Sequence, residues 1–144
     1  MASGGFGGMM GTEIVNMALC RKACPVPRRW RVLIADDQRP TRKGLKALLA
    51  LSPEVEVVGE AADGQEAVNL VAEQRPDVVL MDIRMPVMDG LQATRNIKRQ
   101  SPEARVIVLT MYAEYQAEAL AAGADAFLVK GGSCEALQNA ICQT

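Results

Sequence analysis

The sequence predicts an α/β fold of the (βα)5 kind, a doubly wound three-layer sandwich built on a five-stranded parallel sheet. Two observations predict it. From Trp30 onward, short apolar runs alternate with amphipathic stretches. Several of those runs are apolar throughout, as in strands covered on both faces. Right-handed crossovers between such strands put helices on both sides of the sheet. The expected strand order is 2-1-3-4-5.

Each element has its own signal. Arg31-Val32-Leu33-Ile34-Ala35 is a β-rich run ending in two acids. Leu45, Leu48 and Leu49 follow at helical spacing. Val55 to Val58 reads as the second strand, closed by Gly59. Asp63 and Glu66 form a D-x-x-E capping box that opens a helix through Ala67, Leu70 and Val71. Val78-Val79-Leu80-Met81 is the third strand, and Asp89-Gly90 opens a helix with Leu91, Thr94 and Ile97 on one face. Val106-Ile107-Val108-Leu109 is the fourth strand. A helix over Ala113 to Ala122 is stopped by Gly123. Ala126-Phe127-Leu128-Val129 is the fifth strand, and Ser133 caps a last helix with Leu137, Ala140 and Ile141 inward.

Residues 1–29 differ in texture. Five of the chain's 12 glycines lie in the first 11 residues, and residues 1–30 carry a net charge of +3 against −4 for the rest. Ile14 to Leu19 is too short for a secretory signal and is broken by Asn16. The expectation is a disordered leader over 1–29, either an artificial addition or an over-extended start, with a basic arm that touches a partner or nucleic acid as the rival reading, and one domain over 30–144.

Composition excludes several function classes. The 16 Lys+Arg against 17 Asp+Glu rule out a strongly basic nucleic-acid binder. No apolar run approaches the ~20 residues that span a membrane. The absence of His removes His-based general base catalysis and His metal sites. Cys20, Cys24, Cys134 and Cys142 offer no paired zinc spacing and read as reduced thiols of a cytoplasmic protein.

In such a sheet, chemistry lies beyond the carboxyl ends of the strands. Five polar residues fall there: Asp36 and Asp37 after strand one, Asp82 after strand three, Thr110 after strand four and Lys130 after strand five. Taken alone, each has a plain structural reading, such as a helix cap or a solvated surface side chain. Their joint occurrence at successive strand ends is what points to a site. Three converging carboxylates repel and need a cation. Oxygen ligands alone suit Mg²⁺ or Mn²⁺. A carboxylate beside such a metal and a lysine can attack phosphorus, forming an aspartyl phosphate.

The stretches V-L-I-A-D-D (32–37), V-V-L-M-D-I-R-M-P-V-M-D-G (78–90), V-I-V-L-T (106–110) and F-L-V-K (127–130) together resemble the receiver domain of bacterial two-component response regulators, over about residues 31–144. Residues 55–67 look most like the subgroup that usually carries a C-terminal helix-turn-helix output domain. The resemblance implies a flavodoxin-like fold and a phosphoacceptor signalling domain, not an enzyme acting on a separate substrate. Asp82 would take phosphate from a phosphohistidine on a sensor histidine kinase. Asp37 and Asp82 would bind Mg²⁺ by side chains, Arg84 by its backbone carbonyl, and Asp36 through water. Lys130 would pair with Asp82 at rest and with the phosphoryl group afterwards. Thr110 and Phe127 would be the switch pair, and helix 4, strand 5 and helix 5 the signalling face, with a phosphorylation-dependent homodimer as its readout. The sequence stops at Thr144, after the last predicted helix; direct nucleic-acid binding by this stretch is not expected, and whether a DNA-binding output domain is missing from it stays open. Two further departures are Gly131, where many receivers have Pro after the Lys, and a segment between Thr110 and Lys130 about two residues short for the subgroup.

Rival readings are weaker on chemistry. A phosphatase with an Asp nucleophile needs an acid two residues on, where this chain has Arg84. A flavin binder needs a phosphate loop after strand one, where Asp36-Asp37 would repel phosphate. A receiver that works without phosphorylation, as an interaction or dimerisation module, is the remaining alternative, although all five site residues are present.

Overall fold

A computed structural model describes residues 29–142. The elements run β1 (Trp30–Ala35), α1 (Arg39–Leu49), β2 (Val55–Ala61), α2 (Gly64–Gln74), β3 (Val78–Met81), α3 (Gly90–Gln100), β4 (Arg105–Thr110), a 3₁₀ turn (Ala113–Tyr115), α4 (Gln116–Ala121), β5 (Ala126–Val129) and α5 (Cys134–Ile141). The sheet is parallel, in the order β2-β1-β3-β4-β5. The predicted leader lies outside the described residues except for Arg29. That residue belongs with the domain, because its guanidinium donates to the carbonyls of Pro53 and Val55 at 3.2 and 3.3 Å.

Side chains alternate across each strand, so the apolar runs feed two separate cores. Leu33, Ala35, Val79, Met81, Val106 and Val108 face α2, α3 and α4. Val32, Ile34, Val78, Leu80, Ile107 and Leu109 face the other way, where α1 and α5 bring Leu49, Leu137 and Ile141. Val78 to Met81 are at most 1% exposed, which is why the third strand has no polar alternation.

Capping follows the sequence closely. Asp63 accepts the Glu66 N–H, Asp89 the Gln92 N–H and Ser133 the Ala136 N–H. Glu66 completes its box one residue further out than expected, accepting the Ala62 N–H.

Two expectations need correction. Gly59 does not close the second strand, which runs on to Ala61. The register with β1 shifts between Val32 and Leu33, and a Cβ on Gly59 would sit 3.1 Å from the Leu33 side chain. The glycine marks that close approach, not a strand end. The helix expected over Ala113 to Ala122 opens instead as the 3₁₀ turn, and α-helical bonding begins only at Gln116. Neither Tyr112 nor Tyr115 supplies a side-chain cap, and the turn closes with the tighter bonding, the Tyr115 N–H donating to Tyr112 O at 3.2 Å. Only Met111 and Tyr112 separate β4 from this turn.

Candidate functional site

The ladder bonds continue past the strand ends and carry the polar residues into place. Asp36 N–H donates to Ala61 O at 3.0 Å, Asp82 N–H to Ala35 O at 2.9 Å and Lys130 N–H to Thr110 O at 2.8 Å. Each of these three residues is therefore fixed by the neighbouring strand as well as its own.

Lys130 Nζ lies 2.5 Å from Asp36 Oδ2 and 3.1 Å from Asp82 Oδ2. The resting lysine is shared between two acids, with its shorter contact to Asp36 and not to Asp82 alone. The remaining oxygens are also held. Asp82 Oδ1 accepts the Ile83 N–H and Asp36 Oδ1 the Gln38 N–H, each at 2.8 Å. Asp36 and Asp82 are buried, whereas Asp37 is exposed. One carboxylate oxygen from each of the three lies within 4.8 Å of the others.

Burial dominates the electrostatics of Asp82 and pushes its carboxyl above the ordinary aspartate value, although Lys130 and the Ile83 N–H pull it down. Burial also pulls on Lys130, but the Asp36 hydrogen bond and the charge of Asp82 outweigh it and hold the ammonium above the usual lysine value. One ammonium faces three carboxylates, so negative charge remains in excess. The donor set is oxygen only. These residues fit a hard divalent cation such as Mg²⁺.

Thr110 is fully buried at the end of β4, and its Oγ1 accepts the Tyr112 N–H at 3.4 Å. Phe127 is half-buried on β5 and packs on the core shared by α2, α3 and α4. Arg84 is exposed on the segment after Asp82. It shares an open cleft of about 540 Å³ with Asp37 and Tyr115. Gly131 adopts a positive φ of 88°, so the turn after Lys130 uses the freedom of glycine.

The sequence reading missed an aromatic cluster on the rim. The Arg84 guanidinium sits 4.6 Å over the Tyr112 ring, which meets Tyr115 edge to face at 6.2 Å. A signal was available: both tyrosines of the chain fall within five residues of Thr110. It also missed Arg42 and Glu60, which carry no motif.

Residues 32–142 match the model of the response regulator receiver domain. Among curated proteins, the chain is 46% identical over 109 residues to the uncharacterised transcriptional regulatory protein YhcZ of Bacillus subtilis, covering 74% of this chain and 51% of that protein. It is 40% identical to the transcriptional regulatory protein DegU of Brevibacillus brevis, over 77% of this chain and 48% of DegU. The chain thus spans about half the length of these relatives. Among solved structures, the receiver domain of the NarL regulator from Mycobacterium tuberculosis aligns with a TM-score of 0.73 at 36% identity, over 79% of this chain and 98% of that one. A CheX–CheY–BeF3–Mg complex from Borrelia burgdorferi aligns with a TM-score of 0.73 at 31% identity, covering 80% and 88%.

Proposed function

The chain belongs to the response regulator receiver family, and from that premise we propose that Asp82 is its phosphoacceptor in a Mg²⁺-dependent transfer from a sensor histidine kinase. One observation carries the reading. A buried carboxylate at the end of the central strand contacts a lysine and stands beside two further acids. The relatives are named as transcriptional regulators, which supports a role upstream of transcription for the protein to which this receiver belongs.

Asp36, Asp37 and Asp82, with the Arg84 carbonyl, would hold the metal. When bound, Mg²⁺ supplies charge neutralisation for the oxygens of the incoming phosphoryl group. Mg²⁺ together with a beryllofluoride group in the Borrelia complex is in keeping with this donor set. The chain's own residues do the rest. The Ile83 N–H orients the Asp82 carboxylate, leaving its other oxygen toward Lys130. Lys130 stays charged and meets the phosphoryl oxygens as they arrive. Thr110 exchanges its long bond to Tyr112 N–H for a charge-assisted bond from its hydroxyl to phosphate. Its movement opens room for Phe127 on the adjacent strand, where Val108 and Phe127 are register partners. The altered face comprises α4, β5 and α5, and a phosphorylation-dependent homodimer is its expected readout.

Incubation with acetyl phosphate and Mg²⁺, followed by intact-mass measurement, tests the reading: one phosphoryl adduct is expected with Mg²⁺ and none with EDTA. The metal assignment has its own prediction. Mg²⁺ binds the folded site and stabilises it by linkage, by about 2.7 kcal/mol at a hundredfold excess over Kd. The melting temperature is expected to rise with Mg²⁺ in the wild type and hardly at all in Asp37→Ala. Equal shifts in the two proteins would refute the assignment.

A further inference from the structure

We propose that Arg42 is a positioning residue for the metal-binding acids, fixing the peptide between Asp36 and Asp37 and thereby the place of the Asp37 carboxylate. The inference rests on the reading of Asp36, Asp37 and Asp82 as the Mg²⁺ site.

Arg42 lies on α1 with a side chain only 14% exposed, which is low for arginine. Its guanidinium forks between two strands. Nε donates to Glu60 Oε1 on β2 at 3.1 Å, and Nη1 donates to the main-chain oxygen of Asp36, just past β1, at 2.5 Å. The other oxygen of Glu60 takes Lys46 Nζ at 2.9 Å. The Lys46 hydrogen bond, seconded by Arg42 against the opposing pull of burial, holds the Glu60 carboxyl below its ordinary range. Glu60 is therefore an ionised anchor that aims the arginine fork.

A peptide is planar, so gripping the Asp36 oxygen also sets the Asp37 nitrogen and the direction in which the chain leaves. Asp36 is otherwise held by its N–H, by Gln38 and by Lys130. Asp37 is exposed, yet its carboxylate lies within 4.8 Å of the other two. The peptide that delivers it there is the one Arg42 holds.

Electrostatics alone predicts the opposite consequence. A cation beside a cation site repels the metal, so deleting Arg42 would tighten Mg²⁺ binding. A positioning role predicts weaker binding. Partners that orient metal ligands typically contribute about tenfold or more in affinity.

The test is calorimetric titration of Mg²⁺ into the full chain without phosphodonor, alongside melting temperatures in EDTA. Arg42→Ala is expected to weaken Mg²⁺ binding about tenfold. Arg42→Lys keeps the charge but cannot fork, and is expected to fall between Arg42→Ala and wild type. Arg42→Met preserves the apolar stem and takes the place of Arg42→Ala if that variant does not fold. Unchanged or tighter Mg²⁺ binding in a folded Arg42→Ala or Arg42→Met, with Asp37→Ala defective, overturns the positioning role and leaves the metal site standing. Wild-type binding in Asp37→Ala overturns the metal site and this proposal together.

Discussion

With Mg²⁺ chelated, Lys130→Met is expected to lower the unfolding free energy by about 3 kcal/mol at neutral pH. Among the described residues, the Lys130 ammonium pairs with the carboxylates of both Asp36 and Asp82, at 2.5 and 3.1 Å. Removing it leaves two buried carboxylates facing each other, and truncating one partner of a buried charge cluster costs more than the cluster contributes when intact. The effect has a pH signature. The folded-state pKa of Asp82 already lies above its ordinary value. An acid raised in this way favours folding below its unfolded pKa, and that contribution is lost as pH rises through the folded value. Without Lys130 the folded value climbs further, so the deficit of the variant should be largest near neutrality and shrink as pH falls toward 4, near the unfolded aspartate value. Lys130, itself raised, contributes fully below the ordinary lysine pKa, and its contribution is lost as pH rises through its folded value. Urea unfolding in EDTA at pH 7 and pH 4.5 measures the deficit at neutrality and its decrease in acid. Mg²⁺ should restore part of the loss at pH 7. A variant within 0.5 kcal/mol of wild type at pH 7, roughly the scatter of neutral surface substitutions, would contradict the electrostatic account.

Gly90→Ala is expected to destabilise the protein by about 3 kcal/mol and to depress phosphorylation with it. Gly90 opens α3, directly after its cap Asp89. Its N–H donates to Ile83 O at 2.7 Å. A Cβ there would meet Asp82 O at 1.9 Å and Ile83 Cα at 2.9 Å, both backbone atoms that cannot yield as a flexible side chain would. The helix and the segment bearing Asp82 must separate, which moves the Asp82 carboxylate away from Lys130. Gly44→Ala is the matched control. It lies in the interior of α1, and an added Cβ finds nothing within 4 Å. That substitution should stabilise by about 0.5–1 kcal/mol through helix propensity. Equal effects of the two substitutions would show that the close approach of α3 to Asp82 is not what requires glycine.

These sites also show what the sequence made legible. Val78 to Met81 could be read as a central strand because both faces are covered, and Asp82 as a candidate at the carboxyl rim because it follows that strand. Asp36 and Lys130 were legible for the same reason, since strand ends in a parallel sheet converge on one rim. Gly59 was misread because a glycine in a strand looks like punctuation until its neighbour, Leu33, is known. The opening of the fourth helix was misread because apolar periodicity reports the buried face and not the bonding pattern of an uncapped first turn. Arg42 and Glu60 were invisible for a different reason. Each acts through a side-chain contact with a segment distant in sequence, and no spacing rule encodes such a pair. Gly90 lies between these cases: the Asp89-Gly90 pair was visible, but its reason is a contact with the Asp82 carbonyl.

The central claim is that Asp82 carries the phosphoryl group, and borohydride trapping tests it most directly. Borohydride reduces an acyl phosphate to an alcohol and leaves free carboxylates intact. The full chain would be treated with acetyl phosphate and Mg²⁺, reduced, digested and sequenced by mass spectrometry. The account predicts homoserine at position 82, with Asp36 and Asp37 unreduced and no reduction anywhere in Asp82→Asn. Homoserine at another position, or an undiminished phosphoryl adduct in Asp82→Asn, would contradict it.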